Sequence, residues 1–147
     1  MAGTEANGVV VVGVDGSDDS MVALRWAEHY AHSCGAMLRL VIAWEWPISY
    51  GYMALPPEYS PNADAKVTME KAVAELSMPA DRIETIVVEG SAGRELVRLG
   101  DEADLLVVGT HGHGALGSVL LGSVSSYCVH HATVPVVVVR AGRPEAA

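Results

Sequence analysis

Positive charge is scarce in this sequence: nine Lys and Arg, none of them clustered, stand against 18 Asp and Glu for a formal net charge of −9. A polyphosphate backbone is held by a concentrated basic footprint, so no nucleic-acid partner is expected. Cysteine is nearly absent. Cys34 and Cys128 each fall within an apolar helical pattern, which reads as two buried free thiols rather than a disulfide or redox pair. No apolar run approaches the roughly 20 residues of a spanning helix, and the opening MAGTEANG has neither the basic start nor the apolar core of a signal peptide. The expectation is a cytoplasmic protein without a membrane partner. Internal repeats, low-complexity tracts and linkers are also missing, so residues 1–147 read as one domain with an ordered core at about 8–141. Half the residues are apolar, enough for one core that buries roughly two-thirds of the unfolded surface.

What is present is alternation of strand and helix signals. The β-branched run 9-VVVVGV-14 suits a strand buried on both faces. From Ser17 to Cys34 the positions Leu24, Ala27, Ala31 and Cys34 recur at helical spacing, with Asp18 and Asp19 at the positive end of the dipole and Gly35 as a stop. Strand two is expected at 37–44, followed by an irregular segment, Glu45 to Ala63, with four prolines. The second helix is expected from about Asp64 to Leu76, strand three at 83–88, and helix three from Ala92 to Glu102, with Gly100 an internal cost. Strand four at 104–109, helix four at Ser123 to His131 and strand five at 135–140 complete the series. Strands separated by helices predict an α/β fold, an open parallel sheet covered on both faces by helices. Ligands of such sheets bind beyond the carboxyl ends of the strands, where the strand order reverses.

Two strand ends carry unusual chemistry: Asp15-Gly16-Ser17 after strand one, and 109-GTHGHGALGSVLLGS-123 after strand four. In the second, Gly109, Gly112 and Gly114 remove every Cβ and permit close backbone approach to an anion. Gly122-Ser123 opens helix four, where free N–H groups favour a phosphate and Ser123 and Ser125 offer hydroxyls. A flexible turn is the competing reading, because glycine richness alone is weak evidence. The Walker A and Gly-x-Gly-x-x-Gly fingerprints both fail, since the loop has no lysine and the chain after strand one reads 13-GVDGSD-18.

The spacing Gly109-x2-Gly112-x9-Gly122-Ser123 after an apolar strand, followed by 124-VSSYCVHHATVPVVVVR-140 and matched at the other end by 12-VGVDGS-17, resembles the universal stress protein family from Val9 to Arg140. The glycine–serine motif is that of the family's ATP-binding branch. The resemblance implies a Rossmann-like, three-layer α/β fold with a five-stranded parallel sheet in order 3-2-1-4-5. It implies an adenine nucleotide, ATP with Mg2+, as ligand and a stress-response or regulatory role. It sets Asp15, with Gly13 and Val14 beside it, near the adenine, ribose and metal end, and the backbone of Ala43 against adenine. Gly109, Gly112, Gly122, Ser123 and Ser125 take the ribose and phosphate positions, with Val108 and Val124 as apolar walls and Thr110, His111, His113 and Gly114 completing the loop. Ala43 is smaller than the valine common at its position, and His111 and His113 stand where many relatives carry arginine. Weaker binding that depends on pH is the expected result.

Other residues keep two readings. Asp15 also suits a cap for the turn before helix one. His130 and His131 are helical neighbours pointing about 100° apart, better read as solvated residues than as metal ligands. No dedicated metal site is expected. Trp44, Trp46, Tyr50, Tyr52 and Tyr59 pin a long loop, cover a base or form a partner-binding patch. An ATPase would need a positioned base and cationic stabilisation of the phosphoryl group, and with no Lys or Arg in the loop turnover is expected to be slow or absent, with no catalytic residue assigned. A cyclic-AMP binder would use the same pocket. Strand five is an uninterrupted apolar edge, 136-VVVV-139, which predicts a homodimer joined there.

Overall fold

The computed structural model describes residues 7–47, 58–111 and 121–141. Its strands are β1 (Val9–Gly13), β2 (Met37–Trp44), β3 (Ile83–Glu89), β4 (Leu105–Gly109) and β5 (Val136–Val139). Its helices are α1 (Asp18–Cys34), α2 (Pro61–Ala74), α3 (Ala92–Gly100) and α4 (Ser123–His131), with a short 3-10 turn at Ala80–Arg82. All strand pairs are parallel and the sheet order is β3-β2-β1-β4-β5, as expected. The order reverses between β1 and its neighbours β2 and β4, which sets the carboxyl ends of these three strands on one rim.

The valine-rich strands follow from burial on both faces. Along β1, Val10 and Val12 join the cluster under α1 and α2, with Leu24, Ala27, Leu40 and Met69. Val11 joins the opposite cluster under α3 and α4, with Leu96, Leu99, Leu106 and Cys128. Each fully buried aliphatic side chain contributes about 1.5–3 kcal/mol relative to exposure.

Several boundaries differ from the sequence expectation, each for a local reason. Ser17 is not helical but caps α1, its hydroxyl accepting from the Ser20 N–H at 3.3 Å. Helix α2 starts at Pro61, three residues before Asp64, because proline suits the first helical turn and Ser60 caps it by accepting from the Ala63 N–H at 3.1 Å. Helix α3 stops at Gly100 rather than reaching Glu102. A Cβ at Gly100 would lie 3.3 Å from Leu106 Cδ2, so glycine there lets the helix end sit close on β4. Pro135 lies outside β5, although its carbonyl still accepts from the Leu106 N–H at 3.0 Å. Glu28 on α1 ties down the segment after α2 by accepting from the N–H groups of Ser77 and Met78.

Candidate functional site

The rim is built first by the turn after β1. Gly16 adopts φ 84°, a left-handed conformation that disfavours a side chain. This curls the chain so that the Asp15 carboxylate accepts from both the N–H of Ser17, at 2.9 Å, and its hydroxyl. Ser20 closes the turn: its hydroxyl donates to Ser17 O at 3.0 Å and lies 3.2 Å from the Asp15 N–H, which donates to it. Asp15 therefore does brace the start of α1, as its capping reading held. Its neighbours are structural. Val14 is buried and donates its N–H to Val41 O at 2.9 Å, and a Cβ on Gly13 would overlap Leu96 Cδ1 at 2.7 Å.

Beside this turn, β2 runs on beyond β1. The last β1–β2 rung is Gly13 with Val41. The Val41 carbonyl faces β1 and the Trp44 carbonyl faces β3, where it accepts from the Gly90 N–H at 2.8 Å. Alternation along a strand then turns the N–H and C=O of Ala43 to the β1 side, past the point where β1 has ended. One backbone donor and one acceptor thus sit side by side at the open end of the sheet. Trp44 and Trp46 meet edge to face at 5.9 Å, and Tyr59 lies 6.2 Å from Trp46. Tyr50 and Tyr52 lie outside the described residues.

The third component is the exit of β4. Thr110 is buried, and both its N–H and its hydroxyl donate to Val139 O, each at 3.0 Å. Its own carbonyl accepts from the Gly122 N–H and from the Ser125 hydroxyl, each at 2.8 Å. The start of α4 is thereby held against the end of β4. Gly112, His113 and Gly114 lie outside the described residues. At the N-terminus of α4, Gly122 is the cap residue, no side chain caps the helix and no acidic residue occupies the first turn. The N-terminal turns of α1 and α2, by contrast, are closed by Ser17 and Ser60.

Some expected roles change at this level of detail. Ser125 is 2% exposed and its hydroxyl bonds to Thr110 O and Gly122 O. It braces the frame instead of facing a ligand. Val108 is 3% exposed within the core under α3 and α4, so its side chain supports the rim from below rather than forming a wall. Val124 packs partly buried on the same core. His111 lies against Asp19: its N–H donates to Asp19 Oδ2 at 3.1 Å and its ring Nδ1 is 3.4 Å from the same oxygen. Asp19 was legible only as a residue suited to the helix dipole, and nothing in its local sequence signals a partner so far along the chain. His130 and His131 turn their Nδ1 atoms to Ser126 O and Tyr127 O on their own helix. Beneath α4 the Cys128 thiol is fully buried, and burial pushes it up to about 11. It and the half-buried Cys34 are both free thiols.

With this geometry in view, the chain can be set beside known proteins. The family model described as the universal stress protein family matches residues 7–140. The chain belongs to the universal stress protein family. A universal stress protein of Mycolicibacterium smegmatis is 38% identical over 88% of this chain and 47% of its own length. A Thermus aquaticus universal stress protein is 32% identical over 89% of this chain and 97% of its own. A solved universal stress protein, a complex with cAMP, is 32% identical and covers 92% of this chain and 98% of that one, with a TM-score of 0.62. This universal stress protein chain spans about half the length of the mycobacterial relatives it matches, 47% and 45% for two of them. No helix among its described residues is long and apolar enough to cross a membrane.

Proposed function

We propose that the protein binds an adenine nucleotide, ATP with Mg2+, across the carboxyl ends of β1, β2 and β4, and that it works as a cytoplasmic regulatory module whose bound state is read by a partner. The observation that carries this reading is the first turn of α4. Its N–H groups have no side-chain cap and the turn itself carries no acidic residue, and Thr110 holds them beside the glycine that ends β4. A helix start of this kind attracts phosphate through free N–H donors and the positive end of the dipole. The Ala43 donor and acceptor match the edge of a purine base, and Trp44 offers an apolar surface beside them. Asp15 is the carboxylate that would face a divalent cation accompanying the phosphates. Mg2+ when bound would offset charge between that carboxylate and the phosphates.

Cyclic AMP is the second reading, favoured by one observation. Asp15, Asp18 and Asp19 border the rim, while residues 13–19, 43, 108–111 and 121–126 contain no Lys or Arg. A ligand with a single negative charge meets less repulsion there than a triphosphate without its cation. The cAMP complex of the similar solved protein agrees with that chemistry. Mass spectrometry of ligand released from protein purified without added nucleotide separates ATP, ADP and cyclic AMP.

The phosphate site has its own test. Gly122 has φ −76° and ψ 176°, a conformation open to alanine, so Gly122→Ala, Ser123→Ala should fold. We expect ATP affinity at least tenfold lower at an unchanged melting temperature, a loss of about 1.4 kcal/mol or more. Equal affinity by calorimetric titration of the folded variant would remove the phosphate site at α4.

A further inference from the structure

The start of α1 and the exit of β4 meet at two points, and one residue, Asp19, is common to both: its backbone at the first and its carboxylate at the second. At the first, Gly109 lies so close to α1 that a Cβ would sit 2.8 Å from the carbonyl carbon and oxygen of Asp19. At the second, Asp19 Oδ2 accepts the N–H of His111 at 3.1 Å, with the ring Nδ1 of His111 at 3.4 Å. Asp18 and Asp19 both stand in the first turn of α1, where the dipole favours an acid. Asp19 is the one that reaches across to β4, and its side chain is 21% exposed. Between the two points lies Thr110, whose carbonyl carries the first N–H of the α4 turn and the Ser125 hydroxyl. The Asp19–His111 contact therefore sets the path of the peptide on which α4 is hung.

We propose that Asp19 is a positioning residue for the phosphate end of the nucleotide site. It holds the His111 backbone against α1, and through Thr110 it fixes the distance between the end of β4 and the α4 N-terminus. This rests on the nucleotide reading given above, because only a bound phosphate makes that distance matter for affinity. The base end, at Ala43 on β2, has no part in the contact. The effect of losing Asp19 is accordingly confined to ligands with phosphates. A carboxylate is not required: an amide oxygen accepts the same N–H, so asparagine preserves the tether and alanine removes it.

The test uses the whole chain in four versions: wild type, Asp19→Ala, Asp19→Asn and Asp19→Ser. ATP with Mg2+ and adenosine are titrated separately by calorimetry, and hydrogen exchange of the His111 amide is followed by NMR without nucleotide. In Asp19→Ala we expect ATP affinity about tenfold lower, adenosine affinity within about twofold, and His111 amide exchange about tenfold faster. Asp19→Asn should return all three to within about threefold of wild type. Equal loss for ATP and adenosine would overturn the proposal, as would Asp19→Asn behaving like Asp19→Ala, or His111 exchange unaltered by alanine. Should Asp19→Ala not fold, Asp19→Ser against Asp19→Asn makes the same comparison. A wild type that takes up neither ligand would refute the nucleotide reading, and the exchange rates would then decide the tether alone.

Discussion

Glycine at two strand ends answers to packing before it answers to any ligand. Alanine at Gly109 would press its methyl on the backbone of Asp19, which cannot rotate away, whereas at Gly13 it would meet the end of the Leu96 side chain. We expect Gly109→Ala to lower unfolding free energy by about 1–3 kcal/mol and Gly13→Ala by a smaller amount. Denaturant titration of both compares them directly, and a Gly13 variant as unstable as the Gly109 variant would contradict this ranking. Cys128 makes a second residue-scale prediction. Its folded thiol titrates at about 11 against an ordinary 9.0, because burial disfavours the thiolate. The folded state thus keeps its proton where the unfolded chain releases it. The stability this represents is complete below pH 9 and falls away as pH rises from 9 to 11. Denaturation midpoints measured at pH 8 and 10.5 should diverge, and the divergence should shrink in Cys128→Ala. At this scale the sequence spoke unevenly. The hydroxyl of Ser125 looked available for a ligand, and only the meeting of β4 and α4 reveals that it holds the protein's own carbonyls.

Whole elements were far more legible than single roles. Strand and helix positions followed from β-branched runs and 3.6-residue spacing, and the errors fell at ends, where Pro61 opens α2 earlier than expected and α3 stops at Gly100, a residue expected inside it. Edge strand β5 yields an element-scale prediction sharper than its sequence allowed. The carbonyl of Pro135 accepts from the Leu106 N–H on β4 and that of Val139 from the Thr110 N–H just beyond it, so residues 135, 137 and 139 face β4 and Val136 and Val138 turn their N–H groups to the open edge. If two copies join through 136–139, proline at Val138 removes an outward donor and leaves the β4 ladder whole. Proline at Val137 breaks that ladder. We expect Val138→Pro to give a folded monomer and Val137→Pro to lose about 1–3 kcal/mol of stability. Light scattering and circular dichroism of the two variants test this, and a dimeric Val138→Pro protein would move the interface elsewhere.

For the molecule as a whole, a parallel sheet covered by helices was readable because strands alternate with helices, whereas the order 3-2-1-4-5 was implied by the family resemblance and not by the pattern alone. Light scattering of the wild type at tens of micromolar should return twice the mass of one 15.4 kDa chain. A single-chain mass would require another cover for β5. The less legible part of the site is its long-range wiring, of which Thr110 is the centre. That residue gives two hydrogen bonds to the last residue of β5 and receives two from the first turns of α4. Edge strand β5 and helix α4 are consequently fastened to one residue, like two arms on a single hinge pin. The seating of α4 and the register of β5 are thereby linked through Thr110, so that a shift of one strains hydrogen bonds that hold the other.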